Sequence, residues 1–195
     1  MKKIIPLFLV VLLVTAGCEN RKFEFNPGIK VNKVYAVKKT GAFSEVQTIS
    51  HDEILDLLDI PEDATIESVK IEVVSIWFEV LEGNQAESIT LSGEVEEVGV
   101  GDVLLFENES FSLGSASIKV INNLLFYGGT EKIRSKLEKY LQMNDTNPFK
   151  IVLYGDTDPS NQVLNVSIHL GISGSVRYVT CESVPWFILG DGECD

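Results

Sequence analysis

The sequence is poor in the side chains on which most enzyme chemistry depends. Its 195 residues include only two histidines, His51 and His169, and three cysteines. Neither histidine has a cysteine, serine or carboxylate at the spacing of a catalytic motif. The sequence also lacks a phosphate-binding loop, a dinucleotide-binding glycine fingerprint, an HExxH zinc motif and a G-x-S-x-G nucleophile elbow. We therefore expect a non-enzymatic protein that needs no cofactor and no metal.

Basic side chains are also scarce. The chain carries 16 lysines and arginines against 29 aspartates and glutamates, which gives a formal net charge of −13 at pH 7. Proteins that bind nucleic acid present a basic surface to the phosphates, so this composition argues against nucleic acid as a partner. A hydrophobic content of 45% nevertheless predicts a folded chain with a sizeable core rather than a disordered one.

The N-terminal apolar stretch is too short to span a bilayer. Lys2 and Lys3 precede residues 4–14, which are apolar apart from Pro6, whereas a spanning helix needs about 20 apolar residues. A basic start, a short apolar stretch and an exit of small residues are typical of a secretory signal. The exit in this chain is Thr-Ala-Gly-Cys at residues 15–18.

Residues 15–18 resemble the lipobox of bacterial lipoproteins. Ala16, Gly17 and Cys18 match that motif. The resemblance implies that the Cys18 thiol receives a diacylglycerol, that the leader is removed before Cys18, and that the new N-terminus is acylated. Several acyl chains anchor a protein stably, because each buried CH₂ group contributes about 0.8 kcal/mol.

The resemblance divides the chain into three segments. We expect residues 1–17 to be a lipoprotein signal peptide, residues 18–30 to hold the acylated cysteine and a tether, and residues 31–195 to form a single β-rich globular domain. Removal of the leader would leave 14 basic and 29 acidic side chains. The lipid, rather than a basic surface, would therefore attach the protein to the membrane. Glu19 directly after the cysteine implies the outer membrane of the bacterial cell envelope.

Cys181 and Cys194 remain once Cys18 is assigned to the lipid. Outside the cytosol an even remainder of cysteines predicts a disulfide. Two free thiols or a metal pair are the alternatives. A metal would need further ligands, and the nearest histidine in sequence is His169. The disulfide would close a loop of about 14 residues, which contributes about 3 kcal/mol in the chain-entropy description.

Hydrophobic alternation with a period of two residues predicts the strands. The longest pattern covers residues 164–178 and has one apolar and one polar face, which is typical of a strand in an antiparallel sheet. Residues 65–81 form a second long pattern, which slips by one residue at Val73 and Val74. Because an unbroken strand does not change phase, this slip predicts a β-bulge.

Shorter patterns complete the predicted β structure. Residues 31–37 and 43–49 are expected to be strands, and residues 89–95 are expected to form a hairpin with the strand at 65–81. Several such strands separated by turns predict an antiparallel β-sandwich, or an open barrel, with two or three short helices in the connections.

Two helices are predicted from their caps and spacing. Ser50 and Glu53 fit a capping box, which predicts a short helix over residues 51–59. Thr130 is expected to cap a second helix over residues 131–143, after Gly128 and Gly129 interrupt the chain. The apolar face of this helix would contain Ile133, Leu137, Tyr140 and Leu141, opposite its lysines and Arg134.

Three groups of residues are weak site candidates. Glycosidases use two carboxylates, and Glu94, Glu96 and Glu97 lie together near a predicted strand end. Calcium prefers oxygen-rich loops such as the one containing Asp156, Asp158 and Asn161, although plain turn chemistry explains the same residues. Trp186 and Phe187 either pack onto the sheet or form an exposed aromatic contact for a ligand, polymer or partner.

These observations predict a membrane-tethered, non-enzymatic binding or structural module of the bacterial cell envelope. Its partners would be the membrane, through the lipid, and a glycan, a peptide or an envelope protein. Two alternatives stay open, namely a carrier or chaperone for an apolar ligand held between the sheets and a carboxylate-based glycan hydrolase. A flat aromatic strip, a closed apolar cavity and a cleft with facing acids would respectively favour the three functions.

Overall fold

Two antiparallel sheets pack face to face to form a β-sandwich. The structure is a computed structural model that describes residues 18–97, 99–114, 118–185 and 188–194. Buried apolar side chains of both sheets form one core cluster. The predicted fold class, a mainly β sandwich with short helices in the connections, is confirmed.

Sheet I is built around one long central strand. This strand, β9, pairs with β4 along one edge and with β1 and β2, one after the other, along its opposite edge. Two short strands, β7 and β10, lie at the margins of the sheet. The strands of sheet I are β1 (Cys18–Phe25), β2 (Gly28–Thr40), β4 (Thr65–Val80), β7 (Lys119–Val120), β9 (Val163–Pro185) and β10 (Gly192–Glu193).

Sheet II has four strands and covers the inner face of sheet I. The strands follow one another in the order β3, β8, β5 and β6. The hydroxyl of Tyr35 on β2 donates to the backbone oxygen of Ile151 in sheet II, at 3.2 Å, inside the core. The strands of sheet II are β3 (Phe43–Ile49), β5 (Ser88–Glu97), β6 (Gly101–Ser112) and β8 (Phe149–Asp158).

The alternation predicted for residues 164–178 is confirmed in β9. Every second side chain faces sheet II and is buried, and the residues between them lie on the outer face. Gly171 belongs to the outer row and Gly174 to the inner row, and neither carries a side chain. The buried row contains Leu164, Val166, Ile168, Leu170, Ile172, Val176 and Tyr178.

The predicted bulge in β4 is also present. The register between β4 and β9 shifts once between Ile66 and Ser68 and again between Ile71 and Val73. The second extra residue is therefore Glu72, one position before the expected pair. Val74 is consequently buried whereas Val73 is exposed, so the slip in the sequence pattern reflects a real change of phase.

The predicted hairpin between β4 and β5 is wrong. After β4 the chain stays attached to the start of β9, because the backbone N–H groups of Gln85 and Ala86 donate to the oxygen of Val163. It then crosses to sheet II, where β5 pairs with β6 and β8. A turn sequence shows that the chain reverses, but it does not determine which sheet receives the next strand.

The expected tether at residues 18–30 is in fact part of sheet I. Residues 18–25 form β1 opposite residues 178–185 of β9, and β2 already begins at Gly28. Few side chains of β1 are apolar, so its sequence resembles a polar lead-in. Backbone hydrogen bonds to β9 and ion pairs, rather than burial, hold this segment.

The helices differ from the predicted bounds. Helix α1 (His51–Leu55) is shorter than expected, although the Glu53 N–H donates to Ser50 Oγ at 3.2 Å as the capping box requires. Helix α2 (Tyr127–Leu141) begins four residues early and includes both glycines. A Cβ at Gly129 would lie 2.5 Å from the oxygen of Leu104, so this glycine permits close packing rather than ending the helix.

The predicted disulfide between Cys181 and Cys194 is present, with the two Cα atoms 6.0 Å apart. It connects the end of β9 to the residue after β10. The short strand β10 lies beside β1, where Arg21 is opposite Glu193. No helix within the described ranges has both the length and the apolar character needed to cross a bilayer.

Candidate binding surface

The β9 row on the outer face of sheet I consists mostly of small polar side chains. Apart from the buried Gly171, the residues of β9 that point away from the core are half-buried or exposed, and most carry an amide or a hydroxyl. They lie between the outward residues of β2 and β4. We call this area the outer face, and its β9 row consists of Asn165, Ser167, His169, Gly171, Ser173, Ser175 and Arg177.

An aromatic pair stands in the middle of this outer face. Trp77 of β4 and Val34 of β2 flank His169 on opposite sides. The Trp77 and His169 rings stack with centroids 4.6 Å apart and planes inclined by 12°. The carboxylate of Glu79 lies 3.7 Å from His169 Nε2. Both rings are only partly buried, so they present an apolar surface within a polar row.

Gly171 provides the space beside the Trp77 ring. A Cβ at this position would lie 2.8 Å from Ser75 Oγ, 3.3 Å from Asn32 Oδ1 and 3.5 Å from the indole. A larger residue would therefore displace these polar groups or the ring. The glycine therefore lets one aromatic side chain, one hydroxyl and one amide pack closely over the β9 backbone.

A polar cleft of about 600 Å³ continues the outer face toward the Cys18 end of the sheet. Arg177 donates to Glu24 at 2.8 Å and pairs with Glu67 at 3.0 Å. The hydrogen bond from Arg177 to Glu24, together with the charge of Glu67, raises the pKa of Arg177 above its ordinary value. The cleft is lined by Glu24, Phe25, Asn26, Ser68, Lys70, Glu72, Ser175, Arg177 and Asp191.

The cleft offers hydrogen-bond donors and acceptors of both charges. The hydroxyl of Ser175 donates to Glu72 at 2.7 Å, and Asp191 accepts the backbone N–H of Glu24 at 2.8 Å. Lys70 brings an ammonium group to the same lining. This mixture suits a polar ligand with several hydrogen-bonding groups better than an apolar one.

The carboxylates singled out in the sequence lie on the other sheet. One carboxylate oxygen from each of Glu94, Glu96 and Asp102, all on sheet II, lies within 4.8 Å of the other two. Glu97 Oε1 instead lies 2.8 Å from Lys136 Nζ. The hydroxyl of Tyr154 donates to Glu94 at 2.6 Å, and this hydrogen bond raises the pKa of Tyr154 to about 12. The structure thus groups two of the three predicted acids with an aspartate that the sequence reasoning missed.

The calcium candidates occupy an exposed end of sheet II. Asp156 and Asp158 end β8, and Asn161 follows in the turn. Asp156 Oδ1 already accepts the N–H of Thr157 at 2.8 Å. All three side chains are exposed, and calcium binding at this turn stays a prediction.

Cys18 and the two disulfide cysteines lie at the same end of sheet I. Cys18 begins β1 opposite Pro185, and the disulfide cysteines lie nearby. Trp186 and Phe187 lie outside the described residues. Their described neighbours, Ile188 and Leu189, are exposed.

One buried charged residue escaped the sequence reasoning. Lys136 was expected on the polar side of α2, but it is buried and pairs with both Glu97 and Asp145, the latter at 2.5 Å. Lys136 follows Ile133 by three residues and precedes Tyr140 by four. That spacing places it on the apolar stripe and was the available signal.

Comparison with known proteins gives no family for this chain. No protein-family model matches the sequence, and no curated protein matches it. Among solved structures, the decameric BFDV capsid protein is similar at a TM-score of 0.39 and 7% identity, covering 81% of this chain and 99% of that one. The 60-mer BFDV capsid protein is similar at 0.31 and 10% identity, covering 82% and 94%. At these TM-scores the similarity carries no argument about function.

Proposed function

We propose that the protein is a lipid-anchored, non-enzymatic binding module of the bacterial cell envelope that holds a glycan strand on the outer face of sheet I. The anchor would be Cys18, because residues 15–18 follow the lipobox pattern after a short apolar leader. The outer membrane is the proposed location. The observation that carries the binding function is the Trp77–His169 stack within a row of small polar side chains.

The chemistry of the outer face matches that of a sugar chain. A sugar ring has an apolar face that packs on an aromatic ring and a rim of hydroxyls that needs hydrogen-bond partners. Trp77 and His169 supply the rings, and Asn32, Ser75 and Ser175 supply amide and hydroxyl groups. A small number of polar groups around an apolar contact is the usual composition of a ligand site.

The length of the site favours a polymer over a single small molecule. The stack at His169 and the cleft at Arg177 are eight residues apart on β9, which corresponds to about 26 Å at about 3.3 Å per residue. An extended chain of sugars would reach both features. A monosaccharide would occupy only one of them.

The position of the lipid would leave this surface accessible. Cys18 is opposite Pro185, whereas the aromatic stack lies at His169 of the same strand. Sixteen residues of β9 separate Pro185 from His169, or about 53 Å at most at about 3.3 Å per residue. The outer face would therefore extend away from the membrane rather than be covered by it.

The two alternative functions receive less support from the geometry. Buried side chains such as Ile168, Leu170 and Phe106 fill the space between the sheets, so an apolar cargo would have to displace them. The clustered acids Glu94 and Asp102 lie on sheet II, away from the cleft of sheet I. A hydrolase would need its acids to face each other across the ligand.

Binding to insoluble cell-wall glycan tests the proposal. The full lipidated protein in detergent is sedimented with the glycan, and the bound fraction is measured over a range of glycan concentrations. Trp77→Ala should weaken binding about tenfold, since one aromatic contact contributes about 0.5–1.5 kcal/mol beyond its buried area. Tyr127→Ala, which removes an 80% exposed aromatic residue elsewhere, should bind like the wild type.

Three results would overturn the glycan assignment. They are absence of binding by the wild type, equal losses for Trp77→Ala and Tyr127→Ala, and recovery of a peptide from the preparation that competes away all binding.

The anchor is tested separately by Cys18→Ser. The wild type should enter the detergent phase after phase separation, and the variant should carry no acyl group and keep its leader uncut. Mass spectrometry of the N-terminal peptide should show the acyl mass on Cys18. A variant that still enters the detergent phase after losing its leader would contradict lipidation.

A further inference from the structure

The loop after β9 is fixed against the strand that starts with Cys18. The N–H of Ile188 donates to the oxygen of Pro185 at 2.9 Å, which closes a turn at the end of β9. The N–H of Asp191 then donates to the oxygen of Lys22 on β1, at 2.7 Å. The disulfide connects the residues on both sides of the loop. These bonds give residues 188–191 a defined position.

Gly190 shows how closely the loop approaches β1. A Cβ at this position would lie 2.7 Å from the oxygen of Lys22 and 2.8 Å from the Cβ of Arg21. The backbone of the loop therefore lies directly on β1. A loop held this tightly has little freedom to withdraw an exposed apolar side chain from water.

Two apolar side chains of this loop are nevertheless in contact with solvent. Leu189 is 85% exposed and Ile188 is 38% exposed. The disulfide and the hydrogen bond to Lys22 hold these residues outside the hydrophobic core. A partner that covers them would remove apolar surface from water without any rearrangement of the protein.

The lipid attachment site is close to these side chains. Cys18 and Pro185 are paired residues of neighbouring strands, so their Cα atoms are about 5 Å apart. The turn from Pro185 to Ile188 spans less than about 7 Å between its Cα atoms. The Cα atom of Ile188 therefore lies within about 12 Å of the Cα atom of Cys18.

We infer that Ile188 and Leu189 form a second membrane contact, which inserts into the apolar part of the bilayer interface beside the acyl chains of Cys18. The inference rests on the proposed lipid anchor. The acyl chains bring the Cys18 end of sheet I to the bilayer surface, and the fixed loop places Leu189 within reach of the same leaflet. The contact would fix the orientation of β9, so that the outer face points away from the membrane.

The charges around the loop indicate which lipids this contact requires. Glu19, Glu182, Asp191 and Glu193 lie on or beside the loop, and the neighbouring cations Arg21 and Lys22 pair with Glu19 and Glu67. An acidic surrounding gains nothing from anionic headgroups. The contact should therefore form on a zwitterionic bilayer and should not strengthen when anionic lipid is added.

Photocrosslinking tests this contact in the full lipidated protein. A benzophenone amino acid replaces Leu189, and the protein is reconstituted in phosphatidylcholine vesicles. A matched sample carries the same amino acid at Tyr127, which is 80% exposed elsewhere on the surface. Position 189 should give phosphatidylcholine adducts at least tenfold more often than position 127, and one-fifth phosphatidylglycerol should leave this ratio unchanged.

The acyl mass on Cys18 is measured in the same samples. An acylated protein without excess adduct at position 189 overturns the membrane contact and leaves the anchor intact. A protein without acyl mass overturns both. In native membranes, adducts of position 189 with a protein instead of lipid would show that the loop contacts a protein partner and would also overturn the inference.

Discussion

The two halves of β9 are held in place by different interactions. From Val163 to Tyr178 the strand is central, since β2 or β1 pairs along one edge and β4 along the other, and alternate side chains are buried. From Cys181 to Pro185 it pairs only with β1 among the described strands, and its side chains are exposed or half-buried. One continuous strand thus leaves the hydrophobic core before it ends.

The disulfide compensates for this loss of burial. Hydrophobic burial stabilises the first half, whereas the second half relies on backbone hydrogen bonds to β1 and on the link from Cys181 to Cys194. The separation also matches the two proposed roles. The buried half carries the outer face with Trp77 and His169, and the cross-linked half carries the proposed membrane contact.

Removal of a core side chain from the first half should have the largest effect. Leu170 is fully buried, so Leu170→Ala should lower the free energy of unfolding by about 2–5 kcal/mol through lost burial and the cavity that remains. Urea denaturation measures the change. Ser167→Ala, on the outer face of the same strand, should change it by less than about 0.5 kcal/mol. Equal effects would show that the strand is not divided into a buried and an outer face.

Removal of the disulfide should loosen the second half. Cys181→Ser with Cys194→Ser should lower the free energy of unfolding by about 3 kcal/mol. Hydrogen exchange should accelerate in β1 and β10, while the amides of residues 164–176 keep their protection. Loss of protection throughout β9 would contradict a separate stabilisation of the two halves, because it would show that the disulfide also stabilises the core.

Acid should weaken a different part of the fold. The hydrogen bond from Lys136 to Asp145, together with the Asn147 N–H, holds the pKa of Asp145 below its ordinary value of 3.8. A lowered carboxyl pKa contributes stability that is complete above the ordinary value and is lost as the pH falls through the folded value. Wild type should therefore exceed Asp145→Asn in unfolding free energy at pH 6, and the difference should disappear as the pH falls well below 3.8.

Alkali should act on this pair only at high pH. Burial lowers the pKa of Lys136, but its hydrogen bonds to Asp145 and Glu97 outweigh burial and raise the pKa above 10.5.

The more exposed Glu138, paired with Arg134, provides the control for Asp145. At pH 6, Glu138→Gln should lower the free energy of unfolding less than Asp145→Asn, because the pair with Arg134 is more exposed. A wild-type profile that matches Asp145→Asn at every pH would refute the contribution of the pair.

The exposed ion pairs between β9 and its neighbouring strands should contribute least. Arg177 connects β9 to Glu24 on β1 and Glu67 on β4, but these side chains are well solvated, and such pairs are weak. Arg177→Gln should leave the free energy of unfolding within the error of urea denaturation. It should still weaken glycan binding, because Arg177 lines the cleft. A clear loss of stability would show that these exposed ion pairs, and not burial alone, stabilise the first half.

Periodicity predicted the parts of the fold in which one side of a strand is buried. The alternation in β9, the bulge in β4 and the cysteine pair all follow from local pattern or composition. The pairing of β5 with β6 and β8 did not, because both β4 and β5 have an apolar inner face and either sheet could receive them. Strand β1 was missed because backbone pairing, which has no sequence signature, holds it in the sheet.

The candidate site was less predictable than the fold. The alternation showed that His169 lies on the polar face of β9, but Trp77 becomes its neighbour only through the register with β4. The bulge at Glu72 shifts that register by one residue, and no rule of spacing fixes its position. The cleft likewise combines residues from β1, β4, β9 and the C-terminal segment.

Hydroxyl-radical footprinting of the lipidated protein in vesicles, with and without insoluble cell-wall glycan, tests the division of β9 most directly. It measures the solvent accessibility of individual side chains in both halves at once. We predict that the bilayer, relative to detergent, protects Ile188 and Leu189 from oxidation. The glycan should additionally protect Trp77 and His169 without changing the oxidation of Leu189. Glycan protection at Leu189, or bilayer protection at Trp77, would contradict two separate roles for the two halves.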